Sequence, residues 1–330
     1  MMWEYLKQEQ KEKYKTLITN FASLSEAFSQ KAEGEDSDDR ESYVAPIVNS
    51  KFQETVFQKA FHAVGEDIAN TSYDASVVVD EQHRYLVGIK SFGWDSGDQK
   101  IAQFKKDSQS WNELLSEIRF QADISPDKET ADKENRARYE KLAREIAALR
   151  NQRIESSKAL IKGFHSDASH VEAVYHVLMP TSKGHKPQIH VGETTYLPVD
   201  LDHLKILGST TKNNPTNFRF TDGQHDYKYT AADSQLHMTF RNKEIVVDTW
   251  DVNYVEDPFY LFEHLHLLTS EKSDSEILET VSWMITDKHG NVEENSGFNA
   301  FNGGSKLAKK DRLPRILKIQ DKFKDSLAPE

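Results

Sequence analysis

The sequence predicts an α/β protein: a mixed central sheet flanked by helices, with a helix before it and a β-rich and then helical module after it. Three observations predict this fold. Apolar residues recur at helical spacing near the N-terminus, helical and β-rich patterns alternate between residues 43 and 180, and short strands with turns follow from residue 181. The order helix–strand–strand–helix–strand in the middle of the chain is typical of an α/β core.

The composition limits the class of protein. The chain has 330 residues, of which 29% are charged and 37% are hydrophobic, as in ordinary globular proteins. It contains no cysteine, which excludes disulfides, thiolate zinc sites and cysteine nucleophiles. No apolar run approaches the ~20 residues needed to span a bilayer, and the N-terminus lacks an apolar signal core. We therefore expect a cytoplasmic protein that does not enter a membrane.

The charge is unevenly distributed. The net charge of −12 argues against a protein that coats nucleic acid through bulk charge. Residues 33–41 carry six acids against one base, however, whereas residues 133–162 carry nine bases against four acids and residues 306–324 carry eight bases against two acids. The two basic blocks are either solvated helix faces or local surfaces that bind DNA.

Residues 1–42 are predicted to hold one helix and a linker. Ile18, Phe21 and other apolar residues recur every three or four positions over residues 3–32. The acidic run at residues 33–41 has the composition of a flexible linker.

The α/β core is predicted over residues 43–180. A helix over residues 49–64 precedes two β-rich runs at residues 75–80 and 84–92. Because the residues between the two runs are polar, we expect these strands to form a hairpin.

The second half of this core is predicted to be helical and then extended. A glycine-rich connection at residues 93–97 leads into a predicted helix over residues 98–118, and the residues of 133–163 favour another helix. The apolar run at residues 171–179 ends at Pro180, as expected of a buried strand.

Residues 181–330 are predicted to form the appended module. Short strands and turns dominate its first part, including a hairpin over residues 217–230 that turns at Asp222-Gly223. Residues 256–330 return to a helical pattern.

Asp74 and Lys90 carry the chemical signal. Asp74 precedes the first strand of the predicted hairpin and Lys90 lies on the second strand. Metal-dependent phosphodiester hydrolysis needs a carboxylate that holds Mg²⁺ at the scissile phosphate and a positive group that orients the attacking water. Two neighbouring hairpin strands can bring these groups together.

Asp74 and the segment GIKSF at residues 88–92 resemble the core motif of the PD-(D/E)XK nucleases, a superfamily that includes type II restriction endonucleases. The resemblance covers residues 49–118 and, more weakly, 171–180. It implies a restriction-endonuclease-like core, DNA as substrate and Mg²⁺ as cofactor. It also implies that Asp74 binds the metal and that Lys90 acts at the nucleophilic water.

One position departs from this motif. The family places an acidic residue two positions before the lysine, where this chain has Gly88. Many members carry a glutamate on the preceding helix, and Glu54 borders the apolar stripe of the predicted helix there. We therefore expect Glu54 to bind Mg²⁺ together with Asp74, with Asp95 and Asp98 as the alternatives.

Gln99 and Gln103 extend the resemblance. The family often places a polar helix with a glutamine directly after the lysine strand, and these two residues would share one face of a helix. The resemblance thus assigns Gln103 to the catalytic site.

The C-terminal basic block supplies candidate DNA contacts: Lys306, Lys309, Lys310 and Arg312. A Gly/Asn-rich loop at residues 297–305 precedes them and could hold one phosphate. Because one site per chain must cut two strands, a homodimer on double-stranded DNA is expected.

Other interpretations of the same residues stay open. Asp74 could be a turn residue, Lys90 an ordinary edge-strand lysine, and Glu54 or Gln103 surface residues. The favoured function is a sequence-specific endonuclease. A nuclease that reads DNA structure during repair, or a DNA-binding protein that lost catalysis with the acid at Gly88, are the alternatives.

Overall fold

The computed structural model describes residues 1–28, 43–65, 72–80, 83–160 and 171–265. Residues Met1–His264 form one compact unit, and a second unit begins at Leu265. The predicted linker at 33–41 and the basic block at 306–324 lie outside the described residues.

Helices lie where most were predicted, but the single helix predicted over residues 3–32 is divided into two, and the second ends at Ala22. The helices of the described chain are α1 Met2–Tyr5, α2 Gln8–Ala22, α3 Ser50–Phe61, α4 Asn112–Ile124, α5 Lys128–Leu160 and α6 Pro258–His264.

Helix α3 shows why the sequence defines its ends. The side chain of Asn49 accepts a hydrogen bond from the backbone N–H of Phe52 at 2.9 Å, which caps the helix start. The helix stops at His62, whose φ of 53° is left-handed. The helix predicted over residues 49–64 is confirmed over Ser50–Phe61, whereas Val64 belongs to a short strand, β1 Val64–Gly65.

The strands, in chain order, are β1 Val64–Gly65, β2 Ala75–Val78, β3 Arg84–Ser91, β4 Asp98–Gln103, β5 Val171–Pro180, β6 Gln188–Thr195, β7 Lys205–Thr211, β8 Asn214–Thr221, β9 Asp226–Thr230, β10 Gln235–Thr239 and β11 Val246–Asp251. Both predicted hairpins, β2–β3 and β8–β9, are confirmed as antiparallel pairs.

Within the described residues the strands form two sheets. The first is mixed, in the order β1-β2-β3-β5-β6-β11, and its parallel pair is β3 with β5. The second is antiparallel, in the order β4-β10-β9-β8-β7. The protein is therefore α/β, with a mixed sheet that has helices on both faces.

The helix predicted over residues 98–118 is wrong in its first half. Residues Asp98–Gln103 are strand β4, which pairs with β10, and the α-helix begins only at Asn112. Pairing with a strand more than 130 residues later overrides the local helical preference, which is a weak determinant of structure.

The first sheet crosses the predicted boundary at residue 180. Strand β5 ends at Pro180 and is hydrogen-bonded to β6, and β11 pairs with β6 on its other side. Residues 181–264 thus contribute both to the first sheet and to the second.

Two apolar clusters lie on the two faces of β3. The N-terminal cluster joins Tyr85, Val87 and Ile89 of β3 to helices α2 and α3. The central cluster joins Leu86 to helices α4 and α5 and to the inner face of the second sheet. Because side chains alternate along a strand, Leu86, Gly88 and Lys90 point to the side of the central cluster.

The N-terminus is fixed to the first sheet. The buried carboxylate of Glu193 on β6 accepts hydrogen bonds from the backbone N–H groups of Met2 at 2.5 Å and Trp3 at 2.7 Å. Met2 and Trp3 are themselves buried in the N-terminal cluster. The first residues of the chain are therefore part of the core.

None of the described helices is both long enough and apolar enough to cross a membrane.

His176 of β5 is buried in the N-terminal cluster, where its ring stacks on Trp3 at 5.6 Å and its Nε2 lies 3.2 Å from the hydroxyl of Tyr14. Burial lowers the pKa of His176 to about 3. Below the ordinary histidine pKa of about 6.5, the unfolded chain therefore binds a proton that the folded chain does not.

We predict that the free energy of unfolding falls by about 1.4 kcal/mol for each pH unit below about 6.5 because of this group. Urea unfolding at several pH values measures the slope. His176→Phe should flatten it, whereas His185→Phe at an exposed position should leave it unchanged. Equal slopes in the wild type and His176→Phe would show that His176 is not the group responsible.

Candidate functional site

Asp74 is held against β3 by backbone hydrogen bonds. Its N–H donates to the carbonyl oxygen of Val87 at 2.9 Å, and its Oδ2 accepts the N–H of Ile89 at 2.6 Å. These bonds fix the carboxylate beside the strand that carries Lys90.

Lys90 completes a charge pair with Asp74. Its Nζ lies 3.7 Å from Asp74 Oδ2, and the two side chains are 30% and 23% exposed. The hairpin therefore brings the carboxylate and the ammonium group together, as their spacing predicts. Both groups are partly open to solvent, which a site that acts on a polymer requires.

Gly88 lies between these groups and the central cluster. A Cβ atom at this position would stand 2.9 Å from Cδ1 of Tyr175 and 3.0 Å from Cε1 of Tyr196. The two tyrosine rings are stacked, with centroids 4.0 Å apart and planes 12° apart. The place that the family's acidic residue would take is thus filled by aromatic rings.

A buried arginine supports this aromatic stack. The guanidinium of Arg150 on α5 lies 5.2 Å from the ring centroid of Tyr196 and donates to the carbonyl oxygen of Leu197 at 2.8 Å. Burial raises the pKa of Tyr196 well above its ordinary value, so its hydroxyl stays neutral. That hydroxyl donates to the carbonyl oxygen of Ser72, two residues before Asp74, at 3.0 Å. The stack therefore forms a rigid wall beside the Asp74–Lys90 pair.

Sequence reasoning missed Tyr175, Tyr196 and Arg150. They lie 60 or more residues after Asp74, and no local pattern connects them to it. The strand predicted at 171–179 contains Tyr175, and it is the one signal for this stack in the sequence. It gives no indication that Tyr175 stacks on Tyr196.

Glu54 lies on helix α3, and its side chain is 18% exposed. Its carboxylate pairs with Lys51 of the same helix at 2.8 Å. Helix α3 packs in the N-terminal cluster, on the face of β3 opposite to that of Lys90. Helical periodicity does not define the sheet face on which a helix packs, and the Asp74–Glu54 metal pair stays a prediction.

Gln103 and Asp98 also differ from their predicted settings. Gln103 lies on β4, not on a helix, and its Nε2 donates to the carbonyl oxygen of Asp233 at 3.0 Å. Asp98 is bound by Arg219, Lys228 and Thr239 of the second sheet. Hydrogen bonds from Arg219 and Lys228 outweigh the effect of burial and hold its pKa well below the usual range. Asp98 is therefore committed to the second sheet.

The other alternative, Asp95, lies in the turn after β3. Its carboxylate accepts a hydrogen bond from the hydroxyl of Ser182, which follows β5. The candidate DNA contacts Lys306, Lys309, Lys310 and Arg312 fall outside the described residues.

The described residues offer a limited set of ligands for Mg²⁺. Within these ranges, no group of three or more His, Asp or Glu side chains could hold a metal ion. Mg²⁺ is commonly bound by one or two carboxylates together with water and substrate phosphates. Asp74 supplies one such carboxylate, so Mg²⁺ bound there would also need a substrate phosphate as a ligand.

Comparisons of the chain with protein-family models, with curated proteins and with solved structures found no match.

We predict that Gly88→Ala destabilises the protein by about 1–3 kcal/mol, because the added methyl group must displace the buried tyrosine stack. Gly88→Asp should cost more, since it also buries a charge. Gly93→Ala is the matched control, because a Cβ there would meet only the Ser96 hydroxyl, at 3.6 Å. Urea unfolding compares the three variants. A fully stable Gly88→Asp would show that the wall can move to accept a carboxylate.

Proposed function

We propose that the chain is a Mg²⁺-dependent DNA endonuclease with a PD-(D/E)XK-like core, in which Asp74 and Lys90 act at the scissile phosphodiester. The observation that carries the proposal is the 3.7 Å charge pair on the β2–β3 hairpin. A carboxylate fixed by backbone bonds and a partly exposed ammonium group are the two groups that this chemistry needs.

The topology around the pair supports the proposal. The hairpin follows helix α3, β3 pairs in parallel with β5 after a helical segment, and helices pack on both faces of the sheet. This arrangement is compatible with the mixed, helix-flanked sheet of a restriction-endonuclease-like core.

Asp74 and Lys90 would have distinct roles. The N–H of Ile89 and the ammonium of Lys90 both contact Asp74 Oδ2, so this carboxylate is fixed in direction. Lys90 is close enough to a phosphate bound at Asp74 to neutralise part of its charge and to position a water molecule. The tyrosine wall restricts the site on its inner side.

Mg²⁺ would be held by Asp74 together with the DNA phosphate. When bound, it neutralises phosphate charge and lowers the pKa of its water ligand. Because Mg²⁺ is bound by one or two carboxylates together with substrate phosphates, its binding at Asp74 should depend on bound DNA.

A DNA-binding protein without nuclease activity is the second candidate. The filled space at Gly88 favours it, because an acidic ligand is replaced by packed tyrosines. In that case the Asp74–Lys90 pair would stabilise the hairpin only.

Two further parts of the proposal depend on cleavage itself. Each chain has one Asp74–Lys90 pair, so cutting both strands at one place would require a homodimer. Discrete fragments would indicate a sequence-specific enzyme, whereas cutting confined to branched or damaged DNA would indicate a repair nuclease.

We predict Mg²⁺-dependent cutting of phage or plasmid DNA that EDTA abolishes. Asp74→Asn and Lys90→Ala should each lower the cleavage rate by roughly 100-fold or more, which is typical of removing a catalytic or electrostatic group. DNA binding and thermal stability should change little in these variants.

Glu54→Gln is the matched control. It removes a carboxylate that lies on the other face of the sheet, so it should cut at the wild-type rate. Loss of cutting in Glu54→Gln would restore the Asp74–Glu54 metal pair. Binding without cutting, for the wild type in Mg²⁺ or Mn²⁺, would instead establish the non-catalytic candidate.

A further inference from the structure

The outer face of the second sheet carries a row of basic side chains. Lys100 of β4 is paired with His237 of β10, His237 with Lys228 of β9, and Lys228 with Arg219 of β8. We call Lys100, His237, Lys228 and Arg219 the cationic ladder. On β7 the row ends at Gly208, which pairs with Arg219 and has no side chain.

The ladder faces away from the apolar core. Phe218, Tyr227 and Leu236, which neighbour ladder residues along their strands, belong to the central cluster. Side chains alternate between the faces of a sheet, so the ladder lies on the opposite face. Lys100 is exposed, and the side chains of Arg219 and Lys228 are 38% and 24% exposed.

This arrangement has an electrostatic cost. Like charges that lie directly opposite each other on neighbouring strands are destabilising, and Lys228 faces Arg219 in this way. Asp98 offsets part of the repulsion by pairing with both of them. Lys100 adds a third positive charge. Burial, and then the nearby Lys228, lower the pKa of His237, so its ring stays neutral at neutral pH.

The neighbouring rows on this face are polar. One contains Gln103, Gln235 and Thr230, and the other side of the ladder carries Asp98, Thr239, Asp226 and Thr221. The positive charges of Lys100, Lys228 and Arg219 outnumber the two carboxylates on this face, and amide and hydroxyl groups beside them can donate to phosphate oxygens.

We propose that the cationic ladder binds the phosphate backbone of double-stranded DNA. Neighbouring strands of a sheet are about 4.8 Å apart, so the four ladder positions extend over roughly 14 Å. Phosphates of one DNA strand rise about 3.4 Å per nucleotide along the axis and are farther apart than this through space. The three charged positions of the ladder can therefore contact at most three of them. The choice of DNA over another polyanion rests on the proposed function.

The test measures binding of a DNA duplex in EDTA at several salt concentrations. Each phosphate contact contributes about 0.9 to the slope of log Kobs against log salt concentration. Lys100→Gln should lower the slope by about one and Lys100→Gln with Lys228→Gln by about two. Lys13→Gln, at an exposed site on α2, is the matched control and should have no effect.

Thermal unfolding accompanies each variant, because Lys228 also pairs with Asp98. Lys100→Gln alters one exposed side chain and keeps the inference testable if the double variant is unstable. An unchanged slope in stable Lys100→Gln, or no DNA binding by the wild type in EDTA, would overturn the inference. If the ladder variants bound double-stranded RNA or heparin more weakly but bound DNA normally, the assignment to DNA would also be overturned.

The outcomes separate this inference from the proposed nuclease function. Reduced binding by ladder variants, with no cutting by the wild type, would retain the ladder and reject the nuclease. Mg²⁺-dependent cutting by the wild type, together with an unchanged salt slope in the ladder variants, would retain the nuclease and reject the ladder.

Discussion

The rest of the structure depends on one constraint: β3 is hydrogen-bonded on both edges and packed on both faces. Its parallel pairing with β5 places Gly88 directly beside Tyr175, where a side chain would meet the tyrosine stack. Its antiparallel pairing with β2 places Asp74 beside Lys90. A strand with so little free space can present functional groups only near its ends, and Lys90 lies next to its last residue.

This constraint links stability to the candidate site. The hydrogen bond from Ile89 to Asp74 Oδ2 belongs to the same strand whose apolar side chains hold helices α2 and α3. Because β3 is fixed by the packing on both faces, the Asp74–Lys90 pair is positioned before any ligand arrives. Preorganised charge of this kind is what electrostatic catalysis and specific phosphate binding both require. The same packing excludes a carboxylate at position 88 of β3.

Much of the fold follows from local patterns, and most of the errors come from long-range pairing. Helix α3, the β2–β3 hairpin and the strand ending at Pro180 carry their own signals: a cap, two β-rich runs separated by polar residues, and a proline. Strand β4 carries none, because its state is decided by pairing with β10. At the site, the sequence predicted the meeting of Asp74 and Lys90 from hairpin geometry. It did not define the sheet face on which α3 and Glu54 lie, since helical periodicity gives only the buried side of a helix.

The central claim is that Asp74 and Lys90 face one DNA phosphate. Crystallography of the protein with a DNA duplex and Mn²⁺ tests it most directly, because Mn²⁺ is located by its anomalous scattering. We predict a metal peak within coordination distance of Asp74, bridged to a phosphate that Lys90 also contacts. A complex with DNA bound elsewhere, and with the Asp74–Lys90 pair closed and free of metal, would contradict it.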